Sequence, residues 1–342
     1  MDIRSHRPRF FLMKSLFSGL LLALLAGHAT AAADGPILIK FSHVVADDTP
    51  KGQGALLFKK LVEERLGEQV RVEVYPNSSL YGDGDELQAL LNNEVQLLAP
   101  SLSKFSQYTP KLQVFDLPFL FDDLDAVNRF QKRAKGRQLL SSMEKSDITG
   151  LAYWHNGMKQ LSATQPLQKP GAAAGLAFRI QSSPVLESQF QNLGAKAVKL
   201  PFAETLQALR SGTVQGTENS WSNLYSQQYA PVQPYMVESN HGVLDYMLVT
   251  NSTFWYSLSH SVRIELDAII DEVTYTVNRA AEAQNREARE RLAASGQVTL
   301  VSLSAQEREA WRQAMQPVWQ QFEGEIGSDI IHAAKQVNRR SN

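Results

Sequence analysis

Residues 87–101 read LQALLNNEVQLLAPS, and residues 206–220 read LQALRSGTVQGTENS. Laid side by side, LQAL, VQ and the closing Ser coincide at one constant offset of 119 residues. In each copy a short helical pattern gives way, through Asn or Gly, to a run of strand length, VQLLA in the first and VQGTE in the second. The surroundings of the two copies also correspond. Ahead of the first, ILIKFSHV alternates as a strand, and Thr49 followed by Pro50 marks a helix start. The segment ALLFKKLVEERLG puts Leu57, Phe58, Leu61 and Val62 on one face and stops at Gly67, before the strand VRVEVY at 70–75. Around the second copy, GLAFRIQS and AKAVKLP read as strands, with a helix opened by Pro201 and closed by Gly212. Strands alternating with helices of this length predict βαβ units and a mostly parallel sheet. The alternative, that LQAL is merely common helix composition, would leave the matching surroundings unexplained.

The fold expected is therefore α/β, with two similar lobes. Ligands of open α/β sheets sit beyond the carboxyl ends of the strands, which sets Ser101 and Ser220 on opposite walls of one cleft. From Ser259 the character changes: 262–294 forms one helical pattern rich in Glu and Arg. A helix of more than 30 residues spans about 45 Å, enough to cross both lobes. SAQE at 304–307 is a capping box, and 317–337 continues helically. The expected division is 34–155 with 242–283 as lobe I, and 156–241 with 284–342 as lobe II.

The first 33 residues read as a secretory signal peptide: Arg4, Arg7, Arg9 and Lys14, an apolar run from Leu16 to Ala26, then small residues with cleavage after Ala31 or Ala33. The run is shorter than the roughly 20 residues of a membrane span. Those residues carry four Lys/Arg and one Asp, so the remainder holds 30 basic against 34 acidic groups, a net charge of −4. No basic cluster points to nucleic acid. With no cysteine in the chain, a disulfide framework and a thiolate site are both excluded. A soluble, exported, periplasmic protein is expected.

Catalysis is thinly supplied. HExxH, GxSxG, Walker and GxGxxG motifs are absent, and GDGDE at 82–86 lacks calcium-loop spacing and reads as a helix opening. No metal or cofactor is implied. Candidates for binding are more numerous. Arg179 in AFRI sits on a strand whose neighbours are apolar, so its guanidinium must find an anion: Glu187 or Glu204 of the same chain, or a ligand carboxylate held by its planar fork. YWHNGMKQLSA (153–163) gathers Trp154, Asn156 and Lys159, although Lys159 alone would pass for a solvated lysine. TENSWSN places Asn219 at a strand end, and Trp221 one turn from Tyr225 is equally compatible with ordinary core. His43 ends the first strand. Lys51 opens the next helix, where the dipole disfavours a cation.

Taken together, FSHVVADDTPKG, VYPNSSLYGDGDELQALLNNEVQLLAPSLSKF, FDLPFLFDD, YWHNGMKQLS, GLAFRIQSS and VQGTENSWSN resemble the solute receptors of tripartite ATP-independent periplasmic (TRAP) transporters, in the C4-dicarboxylate branch of the DctP family. The resemblance covers essentially all of the chain after the leader. It implies a receptor, not an enzyme, that captures malate, succinate or fumarate by lobe closure and hands it to a membrane permease. It further implies that Arg179 pairs with the substrate carboxylate and Asn219 supports it. Lys159 stands where several relatives carry Arg, and His43 and Lys51 lie near the second carboxylate. Ser101, by the repeat, and Phe202 line the cavity, and Trp154 and Trp221 wall it. Ser220 replaces the proline usual in ENPWSN. A monomer is expected. Two rival readings share the fold: a receptor for another organic acid, such as a 2-oxoacid, and a sensory receptor for a membrane histidine kinase.

Overall fold

The computed structural model describes residues 35–338; the proposed leader lies outside them. Residues 36–338 form one unit. The elements run β1 (Ile37–Ser42), α1 (Pro50–Leu66), β2 (Val70–Tyr75), α2 (Glu86–Leu91), β3 (Leu97–Leu98), α3 (Leu124–Lys132), α4 (Ala134–Leu140), β4 (Ile148–Ala163), β5 (Ala177–Ile180), α5 (Pro184–Asn192), β6 (Lys196–Lys199), α6 (Thr205–Ser211), β7 (Gly216–Asn219), α7 (Trp221–Ser226), β8 (Tyr235–Asn251), α8 (Ser252–Ser257), α9 (His260–Ala294), β9 (Thr299–Ser302), α10 (Ala305–Met315), α11 (Pro317–Ile326) and α12 (Ser328–Lys335).

The strands join in one sheet of order β2-β1-β3-β8-β4-β7-β5-β6, with β9 paired to β8. β1 pairs parallel with β2 and β3, and β5 pairs parallel with β6 and β7. Two βαβαβ units thus repeat one strand order. The repeat in the sequence is the repeat in the fold: α2 and α6 begin at Glu86 and Thr205, and β3 and β7 at Leu97 and Gly216, all at the offset read from the sequence. The turn between them matches as well. Asn93 and Gly212 both take a positive φ, 57° and 73°, and the following Val95 and Val214 are both fully buried. Asn and Gly occupy this position because a left-handed residue after a helix costs them least.

The sheet is parallel in each unit and antiparallel at its centre. β8 runs antiparallel to β3 and β4, and β4 antiparallel to β7. These two strands, of 16 and 17 residues, belong to both halves. Their pairing slips at three places, between Gly150 and Ala152, His155 and Gly157, and Lys159 and Leu161. The expected lobe boundaries at 155/156, 241/242 and 283/284 fall inside β4, β8 and α9 respectively.

Four apolar clusters flank the sheet. α1 and the first half of α9 cover β1 and β3 through Phe41, Phe58, Trp154, Leu266 and Val273. Here Gly54 lets the helices meet, since a Cβ on it would lie 2.6 Å from Val277 Cγ2. On the other face, Phe115, Phe130 and Met247 pack with Ile330 and Ile331 of α12. On the β5 side, alternate residues divide between two clusters: Phe178 and Ile180 join Phe190 and Trp311, whereas Ala177 joins Leu209, Trp221 and Leu292. Because Leu266 and Leu292 sit in different clusters, the 35-residue α9 spans both halves as its length foretold. Thr49 and Ser304 cap their helices, the latter as a full capping box. The 317–337 region is two helices, broken at Gly327, which takes φ 105°. Among the described residues, no helix is long and apolar enough to cross a membrane.

Candidate functional site

Between the two βαβαβ units, at the carboxyl ends of their strands, lies a small polar cavity of about 20 Å³. Lys51, Asp83, Ser101 and Lys104 come to it from the β1–β3 side; Arg179, Gln181, Phe202, Asn219 and Asn223 from the β5–β7 side; Leu244 and Tyr246 from β8. A hollow of about 500 Å³ lies among α10–α12, lined by residues such as Gln316, Trp319 and Lys335. None of the expected binding residues reaches it, so chemistry and not size locates the site.

Arg179 lines this cavity. Its side chain is 2% exposed, and Nε donates to the Leu200 carbonyl at 3.0 Å. The guanidinium carbon stands 5.8 Å from the centre of the Phe202 ring. Glu187, one expected counter-ion, is taken by Lys199, and the nearest carboxylate is Asp83 Oδ2, 3.8 Å from an Arg179 terminal nitrogen. Beside it, the Asn219 side-chain oxygen accepts from the Ser220 N–H at 3.0 Å and from Asn223 Nδ2 at 2.9 Å. With its oxygen used in this way, the Asn219 amide turns its NH₂ group, a donor, to the remaining space.

The opposite wall is also cationic. The Lys51 amine donates to the Ala99 carbonyl at 3.0 Å and lies 3.8 Å from the centre of the Tyr246 ring. Burial pushes this amine down to about 8, against the opposing pull of Glu86 and Asp83. Lys104 pairs with Asp83 and with Glu86, the latter at 2.9 Å. Burial pushes the Glu86 carboxyl above its usual range, with Lys104 opposing. Ser101 bridges to Tyr246 of β8. Three cations face one lining carboxylate, which favours an anionic ligand.

Five expected ligand contacts stand elsewhere. Lys159 is spent on Glu218, Nζ to Oε1 at 2.6 Å, deep behind the cavity. Trp154 is core: it packs on Phe41 at 5.9 Å, and its indole N–H donates to Thr274 of α9. Trp221 belongs to the apolar cluster under α7. Asn156 backs the site without lining it: Nδ2 donates to the Tyr246 hydroxyl at 2.6 Å, and Oδ1 accepts from Ser220 and Ser222. His43 is buried with neither ring nitrogen hydrogen-bonded; burial, and then Lys51, push it down to about 3, so it is neutral and not a cation for a carboxylate. Ser220, in place of proline, accepts the Asn223 N–H as the cap of α7.

Sequence reasoning missed Asp83, Lys104, Gln181, Asn223, Leu244 and Tyr246. Gln181 was within reach, because it lies two residues after Arg179 and shares its face of the strand. GDGDE opens the helix as expected, with Asp85 at the N-cap position and Glu86 as the first residue of α2, although Asp85 makes no side-chain capping bond; Asp83, ahead of them, turns to the cavity. Tyr246 arrives from a strand more than 140 residues along from Ser101, and nothing local in the chain announces it.

Two like α/β units enclosing a cation-lined cavity define a solute-binding protein for small anions. The chain belongs to the family described as bacterial extracellular solute-binding protein, family 7 (DctP), whose model matches residues 41–325. Its members are binding proteins, and the chain is not an enzyme. It is 51% identical over 317 residues to the C4-dicarboxylate-binding periplasmic protein DctP of Shewanella loihica, covering 93% of this chain and 94% of the relative. With its counterpart in Vibrio cholerae it shares 45% identity over 328 residues, 95% and 98% of the two chains. A TRAP periplasmic solute-binding protein from Pseudomonas aeruginosa, solved with bound L-malate, is 63% identical with a TM-score of 0.82, covering 84% of this chain and 100% of that one. One from Shewanella oneidensis with bound succinate is 51% identical with a TM-score of 0.88, covering 89% and 100%.

Proposed function

We propose that this protein is the periplasmic receptor of a TRAP transporter and captures C4-dicarboxylates, with succinate, L-malate and fumarate as its ligands, for delivery to the membrane permease. The observation that carries this reading is Arg179: buried, anchored through Nε to Leu200, and with its terminal nitrogens turned to a cavity that Lys51 and Lys104 face from the other side. One carboxylate is received by Arg179 and the Asn219 amide, and the second by Lys51 and Ser101. A dianion so placed ties the two units together. The cavity as it stands is about the size of one water, so entry of a four-carbon acid requires its walls to part. Ligand-driven closure then follows, because a ligand that contacts both walls favours the state in which they meet. Relatives of 51% and 63% identity hold succinate and L-malate, and the malate-bound relative shares the larger part of its sequence with this chain.

Isothermal titration calorimetry with the three acids tests the reading. Saturable one-to-one binding, abolished in Arg179→Ala while the circular dichroism spectrum is retained, is the expected result. Wild-type affinity in that variant would make Arg179 structural, and silence with all three acids would reassign the ligand.

A further inference from the structure

Asp83 does more than complete a wall. It sits in the turn ahead of α2, yet its Oδ2 accepts the backbone N–H of Phe202, 119 residues away at the start of the opposite wall, at 2.6 Å. The same oxygen lies 3.8 Å from the Arg179 guanidinium. Its other oxygen is held by Lys104, which is fixed in turn by Glu86 on its own side. The side chain is 10% exposed, so these contacts are shielded from water. Burial on its own would push the Asp83 carboxyl up, but Lys104 and Arg179 hold it below the usual carboxylate value and keep it an anion.

We infer that Asp83 is a positioning residue that latches the cavity shut over its ligand, reaching from the Lys104 side to the Phe202 N–H and steadying Arg179 from the edge. The inference rests on the dicarboxylate reading above. Two features separate a latch from a plain structural ion pair. The bond to Phe202 joins elements that share no strand pairing, since β2-β1-β3 and β7-β5-β6 are kept apart in the sheet by β8 and β4. It also spans the cavity itself, so it must break whenever the walls part. Among the described residues, further side-chain contacts between the two sides include the Ser183 hydroxyl on Asp116 at 2.8 Å and Ser103 with Gln181 at 3.4 Å. A bond that exists only while the walls meet stabilises the closed state and slows escape, leaving the encounter rate unchanged. A hydrogen bond to a charged acceptor is worth about tenfold or more in such an equilibrium.

The test is exchange of radiolabelled succinate from wild type, Asp83→Ala and Asp83→Asn, with calorimetric affinities and ligand-free melting temperatures alongside. Asp83→Ala is expected to release succinate about tenfold faster or more, with an unchanged association rate. Asp83→Asn is expected to fall between, because its amide oxygen still accepts from Phe202 but carries no charge; it also decides the question if the alanine variant does not fold. Release rates within twofold of wild type in both variants, whatever happens to the melting temperature, would overturn the latch. Tighter binding would overturn it too, by showing Asp83 to be a rival of the ligand for Arg179. Failure of the wild type to bind succinate, malate or fumarate is a different result, and sinks the dicarboxylate reading instead.

Discussion

Lys159 and Glu218 meet in the interior at 2.6 Å, each with 2% of its side chain exposed, and the second Glu218 oxygen takes His241 Nε2 at 2.8 Å. The amine that resemblance assigned to the ligand is thereby neutralised from within. Its role is to let a carboxylate be buried where β4, β7 and β8 come together.

Lys159→Met leaves Glu218 without its ammonium partner, beside His241 and the Gln189 amide alone. Loss of one partner from a buried pair costs about 3–5 kcal/mol, so urea denaturation should show a drop of that size. The double variant Lys159→Met/Glu218→Gln, which removes both charges of the pair, should recover a good part of it. Unchanged stability in the single variant would show the pair to be dispensable.

Acid titration isolates the same carboxylate. Burial alone would push Glu218 up, yet Lys159 and His241 outweigh it and bring it down to about 2 from an ordinary 4.5. A depressed folded-state value means stabilisation fully present above about pH 4.5 and lost as pH falls toward 2. Glu218→Gln should be less stable than wild type at pH 7, and the difference should shrink across that window. A difference independent of pH would contradict the assignment.

For Lys51 the sign is reversed. Its folded value of about 8 lies below the usual 10.5, so carrying the charge costs the native state below pH 8. That cost is relieved as pH rises from 8 to 10.5. A bound anion favours the ammonium form, and calorimetric affinity for succinate should therefore decline above about pH 8. Lys51→Met should bind more weakly at pH 7 and lose that decline.

Arg179→Lys keeps the charge but cannot both donate to Leu200 and grip a carboxylate with two parallel bonds. Succinate affinity should fall at least about tenfold, with a melting temperature close to wild type. Equal affinity would mean that charge alone, without the planar fork, holds the ligand.

The repeat at offset 119 was readable because it is local: helix, left-handed turn and strand are each encoded within fifteen residues, and Asn93 and Gly212 carry the punctuation. Arg179 was readable for a similar reason, a cation set among strand apolars. What the chain hid was partnership. Whether Lys159 faces a ligand or Glu218 depends on β4 lying antiparallel to β7, which no short window contains. Trp154 reads alike as wall or core until α9 is laid over it. The acidic turn hid Asp83 among three carboxylates that look equivalent in sequence, and only the approach of Phe202 from the far side distinguishes it.

β4 and β8 run unbroken through both halves, so the molecule has no slack tether that evolution or an engineer could lengthen freely. One residue added near the middle of β8 would reverse which side each later residue presents, turning Tyr246 away from Lys51 while leaving Arg179 where it is. Grafts, tags and permuted termini therefore belong in the exposed turns, such as the one around Gly296, and the ribbon joining the halves has to be inherited whole.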